Sequence, residues 1–582
     1  MNLHYLESIL TECEILENVH VLKGNSFKTQ FYKVIFESEL NVDEQQRIPI
    51  VICVPENWRQ NLIDIYIQNY DELIFMPHIE KNGKMCLFEK EGILIDQNLP
   101  GIVLQSIFRA RNILAKGLSG SNIGEFIEEF ELYWCQLSNC RITHFVVPKV
   151  KKSIVVKGTI EKVEHRKKEK HSVYLKRLYS KPVYVAENSE ILKRWKLDKT
   201  SVVNSAFFVV YPKTNLLPPD IRKMISLEYL NDLLQQVPLK DGEKVLPKLG
   251  RTKVIIFAIN QPQGNVNYLG FLAEGGKLEK NQNGYHLEDI CNLQPLTIHR
   301  ANKKYLMMRT DDADIEVSRK KILVIGCGSI GGHLICELAK TGYEDITIVD
   351  DDILSEENIF RHILGMEYVS QYKCVALEEY VRKNIPEVSI KSLPEKIEEA
   401  VIDGDIRLED YEIIISATGN HNVNRWLNSY IIEHRVTNPV IYAWNEVYGI
   451  GNHVACIKYG NEGCYECLFG RNEETGELYD KSAYCDAGQK IVQNIGGCGK
   501  SFVPYGDMIS LKTVLLCLSI VQDVFSGKVQ ENILVSMKGN DSYFRQQGLV
   551  TSGRYLRQKE CLKKLTGNQF KNIECSVCKD DN

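Results

Sequence analysis

The sequence contains no run of about 18 uncharged apolar residues, the length a helix needs to cross a bilayer, so no membrane association is expected from it. It also lacks an excess of basic charge. Lysine and arginine total 71 against 76 acidic residues, a formal charge of −5. That balance does not neutralise a nucleic-acid backbone without specific contacts, and no nucleic-acid partner is expected. An apolar leader is missing too, because the opening 27 residues set Glu7, Glu12, Glu14 and Glu17 among their apolar positions. A cytoplasmic location is the expectation. The 18 cysteines are then not expected to form a disulfide framework, which leaves them as metal ligands, reactive thiols or buried side chains. There is no internal repeat or low-complexity tract.

What is present is globular. With 582 residues, 44% hydrophobic and 25% charged, 39 glycines and 17 prolines, the chain has the composition of about three or four packed domains, and disorder, collagen and coiled coil are excluded. Three blocks emerge. In residues 1–152, strand-like runs at 31–37 and 47–55 precede helical stretches at 102–116 and 122–137, the pattern of an α+β module. Residues 153–312 place strand candidates at 201–211, 253–259 and 268–274 beside one helix, 219–236, and read as a β-rich linker domain without a reactive constellation. The run HRKKEKH at 165–171 reads as a solvated loop or hairpin. Residues 313–582 alternate strand and helix at 321–325, 331–341, 345–349, 371–384 and 413–417, which predicts α/β architecture with βαβ units around a parallel, Rossmann-like sheet.

The strongest local signal is KILVIGCGSIGGHLICELAKTGYEDITIVDDD, in which Gly326, Gly328 and Gly331 follow a strand and open a helix. Glycines there permit a tight turn and let backbone N–H groups and the helix N-terminus approach a phosphate. Asp350 lies 19 residues beyond Gly331, at the end of the next strand, placed to accept hydrogen bonds from a ribose. A dinucleotide dehydrogenase carries the same fingerprint, so the following residues decide. The stretch from Asp350 through Asn358 to Arg361, and then Lys373, resembles the ubiquitin-activating, ThiF and MoeB adenylyltransferase family, in which an acid, an Asn, an Arg and a Lys surround ATP. Arg361 and Lys373 supply the positive charge that a triphosphate calls for. The resemblance implies ATP with Mg2+ and a catalytic role for Arg361. Where the family carries a metal-holding Asp after the fourth parallel strand, this chain has Gly419. Either Asp350, Asp351 or Asp352 then carries the magnesium, or phosphates and water hold it. Asn424, Arg425 and Asn428 keep the polar helix start of the family.

Cys464-Tyr-Glu-Cys467 and Cys575-Ser-Val-Cys578 are two CxxC pairs in the same block. Together they can give four thiolates to one tetrahedral Zn2+, a closed site with a structural role, and ThiF-like proteins resemble this chain in carrying both pairs. Cys498, flanked by Gly496, Gly497 and Gly499 with Lys500 nearby, suits a nucleophile. Its setting resembles the catalytic-cysteine segment of activating enzymes, with Gly499 in place of the usual Thr. Cys485 is the nearest competitor. In the first block, Met76-Pro77-His78-Ile79 leading to Met85-Cys86-Leu87 resembles the active-site segment of ubiquitin-conjugating enzymes, whose Cys accepts a modifier as a thioester. The Asn that steadies the oxyanion in that family is replaced by His78.

A conjugating-like domain, a β-rich linker and a ThiF-type adenylation domain in one chain resemble the fused activating and conjugating enzymes of cyclic-oligonucleotide antiphage signalling (CBASS) operons. The 299–309 stretch, with His299, Arg300, Tyr305 and Arg309, is similar to that group as well. The resemblance implies ATP-dependent activation of a protein C-terminus, of a cGAS-like nucleotidyltransferase or a ubiquitin-like protein. It further implies relay through Cys498 and then Cys86, amide formation on a target amine, and a homodimer. A sulfur-carrier adenylyltransferase and a non-catalytic nucleotide-binding scaffold are the alternatives.

Overall fold

The computed structural model describes residues 3–22, 31–89, 95–137, 139–147, 152–161, 163–164, 166–188, 191–192, 200–211, 216–237, 252–260, 266–281, 284–310, 319–494 and 501–579. The chain folds as two compact units, Met1–Ala301 and Asn302–Asn582.

The first unit opens with the helix Leu3–Thr11 and an antiparallel meander of Leu16–Val21, Tyr32–Asn41, Arg47–Pro55 and Asp64–Ile67. Arg47–Pro55 reads RIPIVICVP, with almost no polar alternation, because both of its faces are covered. Ile50, Ile52 and Val54 join the main core, while Val51 and Cys53 pack with Ile35 on the other side. The long helix Leu99–Ser119 lies on the core face and buries Ile102, Val103, Ile107, Ala110 and Leu114 at helical spacing. Each of these aliphatic side chains contributes about 1.5–3 kcal/mol by leaving water. Asn98 caps the start by accepting from the Gly101 N–H at 3.3 Å, and Gly120, at φ 70°, ends the helix in the left-handed region. Gly117 sits so close to Met76 that a Cβ there would lie 2.4 Å from its sulfur. That contact seats the helix against the segment leading to Cys86.

The expected helix at 122–137 is two short ones, Ile123–Glu128 and Phe130–Cys135, broken at Glu129. The break turns Phe126, Phe130, Tyr133 and Trp134 inward together, and Trp134 Nε1 donates to the Leu296 carbonyl at 2.9 Å. Leu296 belongs to a seven-stranded closed barrel ordered Val266–Asn281, Gly284–Arg300, Arg141–Phe145, Val183–Ala186, Ile154–Glu161, Thr200–Tyr211 and Thr252–Asn260. The helix expected at 219–236 starts only at Leu227, where Ser226 Oγ accepts from the Tyr229 N–H. In the stretch before it, Asp220 Oδ1 accepts from the Arg222 N–H at 3.0 Å, a local turn that competes with helical pairing. In that non-helical stretch Arg222 donates to the Tyr70 and Leu73 carbonyls at 2.6 and 2.9 Å. Sheet and barrel are therefore packed as one unit.

The second unit is built on an eight-stranded sheet. Ser389–Leu393, Asp345–Val349, Lys321–Ile325, Ile413–Ser416 and Val440–Asn445 run parallel in that spatial order, and Gly451–Ile457, Ile533–Lys538 and Leu562–Thr566 continue it antiparallel. Helices cover both faces, so the four inner parallel strands are largely apolar and buried, while the edge strand Ser389–Leu393, SIKSL, alternates. The 19-residue helix Asp507–Phe525 is apolar and long enough to cross a membrane by length and composition. It packs along Val440–Asn445, Gly451–Ile457 and the helix Ser329–Lys340, with Asn452 Nδ2 donating to the Ile509 carbonyl at 2.8 Å. Successive connections leave Lys321–Ile325 toward opposite sides of the sheet, which makes its C-terminal end the switch point where open α/β sheets form ligand crevices.

Candidate active sites

At that switch point the chain turns through Gly326, at φ 88°, into the helix Ser329–Lys340. A Cβ on Gly326 would meet the Thr418 backbone at 2.9 Å, and one on Gly331 would meet the Gly326 carbonyl oxygen at 1.8 Å. These two glycines are required by packing. Gly328 is different, because among the described residues nothing lies within 4 Å of where its Cβ would stand. Its bare backbone faces open space at a helix N-terminus, the arrangement that accepts a phosphate.

Asp350 closes one side of this turn. Its Oδ2 accepts from the Cys327 N–H at 2.5 Å and its Oδ1 from the Asp352 N–H at 2.8 Å, which leaves lone pairs on both oxygens for hydroxyl donors. Burial pushes its carboxyl above the usual range, opposed by the Cys327 N–H and Lys373. Lys373 is 8% exposed and reaches Asp352 Oδ2 at 2.8 Å. Arg361 lies 5.4 Å from the Tyr505 ring, and among the described residues no carboxylate pairs with it. Asn358 spends its carbonyl oxygen on the Ser355 N–H and hydroxyl, capping its own turn. Gly419 has φ 66° and an open Cβ position, and Asp351 is exposed. The donor set suits ATP: bare glycine backbone for phosphate, Asp350 for ribose, two cations for the charge.

Asn424 apart, sequence reasoning did not single out the residues that brace this site. His362 Nε2 donates to the Cys327 carbonyl at 2.7 Å, and its Nδ1 accepts from the Leu364 N–H at 3.1 Å. Burial lowers its imidazole to about 4, so it is neutral. Tyr505 meets Ser329 Oγ at 3.1 Å. Beneath Gly419, Ser416 and Thr418 hydroxyls donate to Asn424 Oδ1, Asn424 Nδ2 donates to Tyr465 Oη at 3.1 Å, and Tyr465 donates to His421 Nδ1 at 2.8 Å.

Tyr465 stands between two of the expected metal ligands. Cys464 and Cys467 Sγ are 3.9 Å apart, Cys464 and Cys575 3.7 Å, Cys467 and Cys578 3.4 Å, and all four sulfurs lie within 4.8 Å of one another. A zinc tetrahedron with Zn–S bonds of about 2.3 Å has edges of about 3.8 Å. The four cysteines fit it.

Cys498 and its glycine-rich loop lie outside the described residues. Its competitor Cys485 is buried and bridges to Thr551, with its N–H on Glu446 Oε2 at 2.7 Å. Burial first, then the Glu446 charge, pushes this thiol up to about 12, the reverse of an activated nucleophile.

Cys86 is exposed, and its N–H donates to the His78 carbonyl at 2.8 Å. His78 sits at φ 63°, its own N–H on Tyr133 Oη at 2.7 Å, and Tyr133 donates to Glu129 Oε2 at 2.8 Å. The imidazole faces Glu125 Oε2 at 2.7 Å and Glu129 Oε1 at 3.5 Å. Cys86 opens onto a groove of about 470 Å³ whose walls include His78, Glu125, Asn122, Arg109 and Lys116.

The ThiF family matches residues 305–549, and prokaryotic E2 family B matches residues 17–142. An ATP-dependent ubiquitin transferase-like protein Cap2 of Pseudomonas aeruginosa (strain BWHPSA011 / Pa011) is 24% identical over 480 residues, 78% of this chain and 80% of that protein. The adenylyltransferase and sulfurtransferase UBA4 of Candida albicans (strain SC5314 / ATCC MYA-2876) is 21% identical over 43% of this chain and 52% of its own length. Among solved structures, E. coli MccB with ATP is similar at 20% identity and a TM-score of 0.32, over 46% of this chain and 68% of that one. With one match lying over the glycine-loop unit and the other over the domain that bears Cys86, the chain carries a ThiF domain and a prokaryotic E2 family B domain and is a ubiquitin-transferase-like adenylating enzyme.

Proposed function

We propose that this enzyme activates the C-terminal carboxylate of a protein with ATP and conjugates it to an amine. The observation that carries the reading is the presence, in one chain, of a glycine turn with bare backbone at a helix N-terminus and an exposed Cys86 in a conjugating-type segment. The carboxylate attacks the α-phosphate of ATP held by Gly326, Gly328, Gly331, Asp350, Arg361 and Lys373, and pyrophosphate leaves. Cys498 displaces AMP, the acyl group passes to Cys86, and an amine takes it as an amide. Each transfer exchanges one activated acyl group for another, so the protein mainly positions reactants. A cGAS-like nucleotidyltransferase or a ubiquitin-like protein is the proposed carrier, and antiphage defence in the cytoplasm, by a homodimer, is the proposed setting. The E2 family B match over residues 17–142 favours this reading over sulfur-carrier activation, which gives that domain no task.

The test uses purified protein, ATP and candidate carriers. Mass spectrometry should find an amide conjugate. Cys86→Ala should keep a thiol-sensitive adduct on Cys498, whereas Cys498→Ala should form the adenylate and no thioester. A thiocarboxylate as the product would sink the conjugation reading, and a thioester on Cys86 in Cys498→Ala would remove Cys498 from the relay.

A further inference from the structure

The groove beside Cys86 contains a polar group with no partner among the described residues. Asn122, in the turn that follows the helix Leu99–Ser119, is 4% exposed, and neither its Oδ1 nor its Nδ2 has a hydrogen-bond partner among them. It lines the same groove as Cys86, His78 and Glu125. Burying an amide unpaired is a cost that folds ordinarily avoid by pairing the group. His78, which stands where conjugating enzymes place an oxyanion-steadying Asn, is engaged elsewhere. Its ring faces two carboxylates and its backbone N–H is held by Tyr133. The amide that is available comes from a different element.

We propose that Asn122 is the oxyanion donor of the Cys86 site, a role that rests on reading Cys86 as the acyl carrier. When an amine attacks the thioester, its nitrogen bonds the carbonyl carbon and the C=O electron pair moves onto oxygen, where it accepts from Asn122 Nδ2–H. Collapse restores the carbonyl and breaks the C–S bond, and the proton lost by the amine ends on the Cys86 sulfur. A donor placed for charge that develops only in the transition state raises the rate without tightening amine binding.

The experiment needs no identified carrier. The full chain is acylated with the mercaptoethanesulfonate thioester of fluorescein-labelled diglycine, which exchanges onto accessible thiols, and excess reagent is removed. Lysine is added, and label loss from the Cys86 peptide is followed against that from the exposed Cys561. In the wild type Cys86 should discharge faster than Cys561. Asn122→Ala should slow Cys86 at saturating lysine by about 100-fold, with the half-saturating lysine concentration unchanged. Asn122→Asp, which keeps shape and loses the donor, should fall with it while its melting temperature stays near wild type. Wild-type rates in both variants, with Cys86 still faster than Cys561, overturn Asn122 and leave the acyl-carrier reading standing. Discharge from wild-type Cys86 no faster than from Cys561 overturns both. Loss in Asn122→Ala but not in Asn122→Asp assigns the residue to shape alone and overturns the donor role.

Discussion

Arg425 and Glu466 form a two-point ion pair, Nε to Oε2 at 2.6 Å and Nη2 to Oε1 at 2.8 Å. It joins the helix His421–Glu433, which follows the Thr418–Gly419 loop, to the turn that bears Cys464 and Cys467. Glu466 is 11% exposed, so removing Arg425 strands a nearly buried charge. Arg425→Ala should destabilise the adenylation unit by about 2 kcal/mol and slow ATP–pyrophosphate exchange. An unchanged melting temperature would mean that solvent already screens the pair.

The four sulfurs make a second prediction. Metal analysis should return about one zinc per chain, and Cys575→Ser should lose it with a lower melting temperature. Because Tyr465 and Glu466 tie the same turn to the helix beside the nucleotide loop, zinc loss should also reduce pyrophosphate exchange. Full exchange in metal-free protein would show that the two sites are independent.

Two glycines of one fingerprint should fail differently. Gly331→Ala puts a methyl 1.8 Å from the Gly326 carbonyl oxygen and should destabilise the unit by about 1–3 kcal/mol. Gly328→Ala meets nothing within 4 Å among the described residues, so its stability should stay within about 0.5 kcal/mol of wild type while ATP binding weakens. Calorimetry with and without ATP separates the two, and equal destabilisation would refute the distinction.

His362 sets a pH dependence. Its folded pKa is lowered to about 4 from the ordinary 6.5, so between those values the unfolded chain takes up a proton that the fold refuses. The stability it contributes is complete above pH 6.5 and is lost as pH falls toward 4, by about 3 kcal/mol. His362→Gln, which can still donate to the Cys327 carbonyl, should flatten that part of the unfolding profile. Parallel profiles for the two proteins would contradict a neutral, buried His362.

The parts of the sites that could be read from sequence are those where one local geometry demands one residue type. The glycine turn is legible because its backbone leaves no room for a Cβ at Gly326 or Gly331, and the metal site because CxxC sets two sulfurs on one turn. Cys86 stands out in the sequence only through its resemblance-bearing segment, and the structure shows it exposed. Tyr133, His362 and Tyr465 obey no spacing rule; their roles come from tertiary contacts with elements far along the chain. The break at Glu129 has no proline or glycine to announce it, and the late start of the Leu227–Gln235 helix is set by the Asp220 turn and the Ser226 cap.

Cys464 and Cys575 are separated by 111 positions, so the metal site stays open until Cys578 has left the ribosome. At about 5–20 residues per second that interval is on the order of ten seconds, during which Cys464 and Cys467 stand as an unpaired dithiol. Oxidants and stray metals have that long to compete for it. Closure of the four-sulfur cluster thus waits on Cys575 and Cys578, and a nascent chain that stops short of them cannot brace its nucleotide loop through it.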